Sequence, residues 1–131
     1  MNKHAKKFLS IDDDRTLQMI VKQILSKSFG PQVLEVFQAG TGEEGVKMMR
    51  EIQPDIILCD IKMPQMDGME VLDHIIATNY DTQVIMITGH GSVDTAVEAI
   101  KKGAFDFIQK PLDLNRLMIT IRNAGDKSIL I

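Results

Sequence analysis

The chain has 131 residues, 44% apolar and 25% charged, with a formal charge of −3; this is the size and make-up of one ordinary globular domain that can bury a core. The charge balance leaves no basic face broad enough for nucleic-acid binding, and no apolar run approaches membrane-spanning length. Cys59 is the only cysteine, which excludes an intrachain disulfide or a cysteine-cluster metal site, and with no charged-then-apolar leader a soluble cytosolic protein is expected.

The first predicted strand is "KFLSI" (7–11). After it, Leu17, Ile20, Val21, Ile24 and Leu25 recur at the i, i+3, i+4, i+7, i+8 spacing of a helix with one buried face. "QVLEVF" (32–37) predicts a second strand. A short helix over 42–52 follows, with Val46, Met49 and Ile52 inward, although Gly45 inside it costs roughly 1 kcal/mol against alanine. "IILCD" (56–60) is an apolar run opened by Pro54 and closed by a loop with Pro64 and Gly68, the pattern of a strand buried on both faces. Next come a helix near 66–78 carrying Met69, Leu72, Ile75 and Ile76, and a fourth strand, "QVIMIT" (83–88). "SVDTAVEAIKKG" places Val93, Ala96, Val97 and Ile100 on one stripe, with Ser92 as N-cap and Gly103 as stop signal. A fifth strand, "FDFIQ" (105–109), precedes a last helix over about 113–124 with Leu114, Leu117, Met118 and Ile121 inward. Ile119 falls off that stripe toward solvent. The domain is expected to span 1–125, with 126–131 a tail or the start of a linker.

Five strand–helix units in strict alternation predict an α/β fold: a doubly wound parallel sheet of order 2-1-3-4-5. Ligands of such sheets bind beyond the carboxyl ends of the strands. Those ends carry Asp12, Asp13 and Asp14, then Asp60, then Thr88 and Gly89, then Lys110 and Pro111. Neighbouring strands lie about 4.8 Å apart, so residues nearly a hundred positions apart in sequence are brought within side-chain reach. Clustered carboxylates repel unless something positive joins them. Lys110 supplies one charge, and an all-oxygen set without histidine or cysteine suits a hard divalent cation such as Mg²⁺. A carboxylate, a hydroxyl, a lysine and Mg²⁺ together make a phosphoryl-transfer site, with Asp60 as its aspartate nucleophile. Asp14 stands where a helix begins and is expected to cap it.

The segments "FLSIDDD", "IILCDIKMPQMDG", "IMITGHG" and "GAFDFIQKP" resemble the receiver domain of two-component response regulators, over residues 7 to about 124. The stretch "TGHGSVDTAVEAIKKGAFDFIQKPLDLNRL" is further similar to receivers of nitrogen-regulation-type enhancer-binding activators. The resemblance implies a flavodoxin-like (βα)5 receiver whose Asp60 accepts a phosphoryl group from a sensor histidine kinase or phosphotransfer protein. It implies Mg²⁺ held by the side chains of Asp13 and Asp60 and the backbone carbonyl of Lys62, with Asp12 acting through water. Thr88 would bond a phosphoryl oxygen, and Lys110 would pair with Asp60 and then with the phosphate. Phe107 would be the switch aromatic, turning inward as Thr88 moves, and the bond before Pro111 would be cis. The implied output is control of transcription by a cytoplasmic regulator, or action as a stand-alone receiver in a phosphorelay. Ile119 adds an expected contact surface on the fourth helix, fifth strand and fifth helix, used for a homodimer or an output partner. His90, two residues past Thr88, is placed to touch the rim of the site.

Two other classes compete for the same residues. "DDDRT" satisfies the D-x-D-x-T opening of haloacid-dehalogenase-type phosphatases through Asp12, Asp14 and Thr16, but after Lys110 only Asp113 and Asp126 remain for that family's late acidic pair, and neither follows a strand. A flavin or nucleotide carrier on the same fold wants a glycine- or hydroxyl-rich phosphate loop after the first strand. Three acids stand there instead.

Overall fold

A computed structural model of the chain describes residues 5–78, 81–89 and 92–129. Strands and helices alternate from one end to the other: β1 (Lys6–Ile11), α1 (Arg15–Ser28), β2 (Leu34–Ala39), α2 (Gly42–Ile52) and β3 (Ile56–Asp60). The second half continues with α3 (Gly68–Thr78), β4 (Gln83–Thr88), α4 (Val93–Lys102), β5 (Asp106–Gln109) and α5 (Leu114–Ile129). The strands form one parallel sheet in the order β2-β1-β3-β4-β5, which is the predicted doubly wound topology.

Because successive strand side chains point to opposite faces, the sheet feeds two cores. Leu9, Ile57, Cys59, Val84 and Met86 face α2, α3 and α4, meeting Val46, Met49, Leu72, Ile75 and Ala99. Phe8, Ile56, Leu58, Ile85 and Ile87 face α1 and α5, meeting Val21, Leu25, Leu117, Ile121 and Ala124. With both faces covered, β3 and β4 are buried along their whole length, hence their unbroken apolar runs.

The glycine inside α2 has a packing reason. A Cβ on Gly45 would lie 2.6 Å from Ile11 Cδ1, so glycine lets α2 approach the end of β1. Thr41 caps this helix by accepting from the Glu44 N–H at 3.1 Å, and Glu44 accepts from the Gly40 N–H at 2.7 Å, a near relative of the capping box. Gly103 ends α4 at a φ of 119° that favours glycine. Ser92 occupies the N-cap position of α4 without a side-chain capping bond.

Four helices differ from their predicted faces or ends. In α4 the buried residues are Ala96 and Ala99, whereas Val93, Val97 and Ile100 are exposed. Small side chains bring the α4 backbone onto the sheet and turn its larger ones outward. Ile20, Ile76 and Leu114 likewise lie outside the buried stripes of their helices. Helix α5 runs on to Ile129 instead of ending near 124. Strand β2 begins and ends two residues later than predicted. Among the described residues no helix is long and apolar enough to cross a membrane.

Candidate functional site at the strand ends

Register places the site. Ile11 of β1 pairs with Cys59 of β3, so the next residues, Asp12 and Asp60, stand side by side. Thr88 ends β4 opposite Gln109, and the Lys110 N–H donates to the Thr88 carbonyl at 2.8 Å. Lys110 thus reaches the site from the strand two places away from β3, and its Nζ lies 3.3 Å from Asp60 Oδ2. The Lys110–Pro111 peptide bond is cis.

Asp12 and Asp60 are both buried at 3% exposure, and Asp13 is exposed. Carboxylate oxygens of all three lie within 4.8 Å of one another. Asp12 Oδ1 accepts from the Asp14 N–H at 2.9 Å, but among the described residues its Oδ2 is buried without a hydrogen-bond partner. The Thr88 hydroxyl is likewise buried without one among the described residues. Burial, the largest influence, pushes the Asp12 carboxyl up from 3.8 to about 6, and the neighbouring charges of Asp60 and Asp13 push the same way. The Asp14 N–H and the Lys110 ammonium act against them. An orphaned acceptor among crowded oxygen-only donors is the environment that suits a hard divalent cation, so Asp12, Asp13 and Asp60 fit a metal. Burial also pushes the Cys59 thiol up, keeping that residue an inert part of the core.

The loop after β3 is shaped by Gly68, whose N–H donates to the Ile61 carbonyl at 2.8 Å. A Cβ there would collide with the Asp60 carbonyl oxygen and the Ile61 Cα, so only glycine lets α3 begin against the end of β3. Lys62 is exposed, and its N–H approaches Asp60 Oδ1 at 3.4 Å. Phe107, opposite Met86, is half-buried against the core on the α2–α3–α4 side, while Phe105 packs against the other core. Ile119 is 56% exposed on α5. Asp14 turns out of the cluster and caps α1, accepting from the Leu17 N–H at 3.1 Å. In that position it is not the second acid of a D-x-D pair. His90 lies outside the described residues.

One residue of this region escaped the sequence reading. Gln18 is buried, and its Nε2 lies 3.1 Å from the Ser10 carbonyl, 3.2 Å from the Asp12 carbonyl and 2.9 Å from the Ala39 carbonyl. Its signal was present: positions 18, 21 and 25 share one helix face, and a polar residue on a buried stripe needs partners.

A doubly wound parallel sheet with an acid cluster, a hydroxyl and a lysine at its carboxyl edge defines a class of phosphoryl-handling α/β domains. The profile of the response regulator receiver domain matches residues 8–122, and the chain belongs to that family. It is 40% identical over 98 residues to the regulatory protein LuxO of Vibrio vulnificus, covering 75% of this chain and 22% of that protein. It is also 40% identical over 119 residues to the chemotaxis protein CheY of Listeria monocytogenes, covering 91% of this chain and 98% of that one. Among solved structures, a response regulator receiver domain protein from Clostridium thermocellum superposes with a TM-score of 0.86 at 36% identity, covering 96% of this chain and 99% of that one. The chain thus spans under a quarter of the length of LuxO. Receiver domains are signalling switches, with a general phospho-accepting role and histidine kinases or phosphotransfer proteins as partners. The narrower resemblance to activator receivers agrees with the match to LuxO.

Proposed function

We propose that this chain is a phospho-accepting switch in which Asp60 is the residue that carries the phosphoryl group. The observation behind this reading is a buried Asp60 carboxylate 3.3 Å from the Lys110 ammonium, at strand ends where an Asp12 oxygen and the Thr88 hydroxyl are buried without partners. Such groups are costly unless a bound species completes them.

In the proposed reaction an Asp60 oxygen attacks phosphorus in a phosphohistidine of a sensor kinase or phosphotransfer protein. The new P–O bond forms as the P–N bond breaks, and the imidazole leaves. Lys110 holds Asp60 in place and then neutralises part of the charge on the phosphoryl oxygens. Thr88 donates its free hydroxyl to one of those oxygens. Asp13 and Asp60, with the Lys62 carbonyl, would hold Mg²⁺, and Asp12 would contribute through water. Bound there, Mg²⁺ supplies charge neutralisation for both the carboxylates and the transferred group. The phosphoryl group later leaves by hydrolysis at the same site.

The output follows from position. Thr88 ends β4 and Phe107 lies in the neighbouring strand, so a hydroxyl drawn toward a phosphate frees space into which the half-buried ring turns. Helix α4 and helix α5 flank edge strand β5 from opposite faces of the sheet. Both carry outward apolar residues, Val97 and Ile100 on α4 and Ile119 on α5, and this edge is where a second copy docks. The chain works as the receiver of a cytoplasmic transcription regulator and binds no nucleic acid itself. The match along nearly all of a chemotaxis protein CheY supports a second reading, a receiver that acts alone through protein contact.

Phosphoryl uptake from a small acyl or amido phosphate tests the chemistry. Wild-type protein takes up label with Mg²⁺, and Asp60→Asn does not. Equal labelling of the two proteins overturns the proposal.

A further inference from the structure

Two of the three clustered acids, Asp12 and Asp13, are joined by one peptide bond, and the structure braces that bond from the side. Three carbonyl oxygens converge on one end of the Gln18 amide, those of Ser10, Asp12 and Ala39, at 2.9 to 3.2 Å. Only the NH2 end can donate to carbonyl oxygens, which fixes the orientation of the amide, and its two hydrogens are shared among the three acceptors. Its other end, Oε1, accepts from Gln38 Nε2 at 3.1 Å, and the same Gln38 nitrogen donates to the Gln18 backbone carbonyl at 2.7 Å. Gln38 belongs to β2 and pairs in register with Ser10, so the two glutamines bind α1, β1 and β2 together just below the acid cluster.

The Asp12 carbonyl held by Gln18 belongs to the Asp12–Asp13 peptide. On its other side, Asp12 donates its own N–H to the Ala39 carbonyl at 3.1 Å. The residue is therefore tied on both sides of its Cα, one tie to β2 and one to α1. Asp14, next in sequence, is tied by its N–H to Asp12 Oδ1 and by its side chain to the first turn of α1. Of these ties, the Gln18 bond is the one a side chain supplies to the peptide between the acids, and side chains can differ without changing the fold.

We infer that the Gln18–Gln38 amide pair is a positioning device that sets the Asp12–Asp13 peptide, and through it the affinity of the acid cluster for a divalent cation. The inference rests on the metal reading above. Outer groups that orient metal ligands typically contribute about 10–100-fold to affinity. Gln18 touches neither phosphorus nor metal, so its effect is on binding geometry.

The test is Mg²⁺ binding to unphosphorylated protein by calorimetry, for wild type, Gln18→Met, Gln38→Met and Val21→Ala. Methionine keeps the length and bulk of glutamine and removes its hydrogen bonds. Val21, on the same helix face, is 1% exposed in an apolar cluster and makes no polar bond to the Asp12–Asp13 peptide, so its truncation costs stability alone. Gln18→Met is expected to weaken Mg²⁺ binding by about 10-fold or more, Gln38→Met less in the same direction, and Val21→Ala not at all. Wild-type affinity in a folded Gln18→Met protein overturns the inference. Should Gln18→Met fail to fold, Gln38→Met decides, and unchanged affinity there overturns it. A wild type that binds no Mg²⁺ overturns the metal reading itself, which distinguishes the two failures.

Discussion

Replacing Asp12 with asparagine should make the metal-free protein more stable, although it removes a charged residue from the heart of the site. Asparagine retains an oxygen to accept from the Asp14 N–H and puts an uncharged NH2, a donor toward the neighbouring carboxylates, in place of the buried Oδ2. Burial and the neighbouring acids push the Asp12 carboxyl from 3.8 to about 6. A shift of that size opposes ionisation by roughly 3 kcal/mol at neutral pH, and water at the rim, beside exposed Asp13, reduces it to on the order of 1–2 kcal/mol. The sign follows from linkage. With the folded pKa above the unfolded one, the penalty is fully present above pH about 6, shrinks as the pH falls, and is gone below about 3.8. Urea denaturation in EDTA, followed by circular dichroism, measures this. At pH 7 Asp12→Asn should be more stable than wild type, and the gap should narrow toward pH 4.5. Adding Mg²⁺ should reverse the order, because a ligand that binds only the folded state stabilises the protein that binds it better. An asparagine variant less stable than wild type in EDTA at pH 7, or a gap that ignores pH, would refute the reasoning.

Other consequences can be checked separately. Gly45→Ala brings a methyl to 2.6 Å from Ile11 Cδ1; overpacking of about 1–3 kcal/mol should outweigh the helix-propensity gain of about 1 kcal/mol, seen as a lower urea midpoint that Ile11→Val partly restores. Thr88→Val removes a buried hydroxyl without a partner; it should leave unphosphorylated stability level or raised by up to about 1 kcal/mol, while slowing phosphoryl uptake in stopped assays. Ile119→Glu, at a side chain 56% exposed on α5, should weaken self-association in sedimentation experiments and leave phosphorylation intact. An unchanged dimer constant, or no dimer in wild type, would count against the proposed edge.

Much of this architecture was legible in the sequence because buried parallel strands announce themselves. Runs such as "IILCD" and "QVIMIT" are apolar on both faces and stop where polar residues begin, so their ends locate the carboxyl edge of the sheet. Once strand order was inferred, adjacency of Asp12 and Asp60 followed from spacing alone. The outward position of Ile119 was readable from the same periodicity. What the pattern hid were cases in which size or hydrogen bonding outranks hydrophobicity. Helix α4 packs through Ala96 and Ala99 because small residues permit close approach, which turns Val93, Val97 and Ile100 outward. Gln18 is buried because its NH2 group donates among three carbonyl groups at a fork between strands, a demand that exists only after β1, β2 and α1 have assembled. The extension of α5 to Ile129 was hidden because "GDKSI" has no apolar stripe to mark it.

The most direct measurement is mass-spectrometric mapping of the phosphoryl adduct after incubation with a small acyl phosphate, with Mg²⁺ and with EDTA. The account predicts one phosphate on the peptide containing Asp60, formed with Mg²⁺, missing with EDTA, and missing from Asp60→Asn. An adduct on another residue, or one that forms equally well in EDTA, would contradict it.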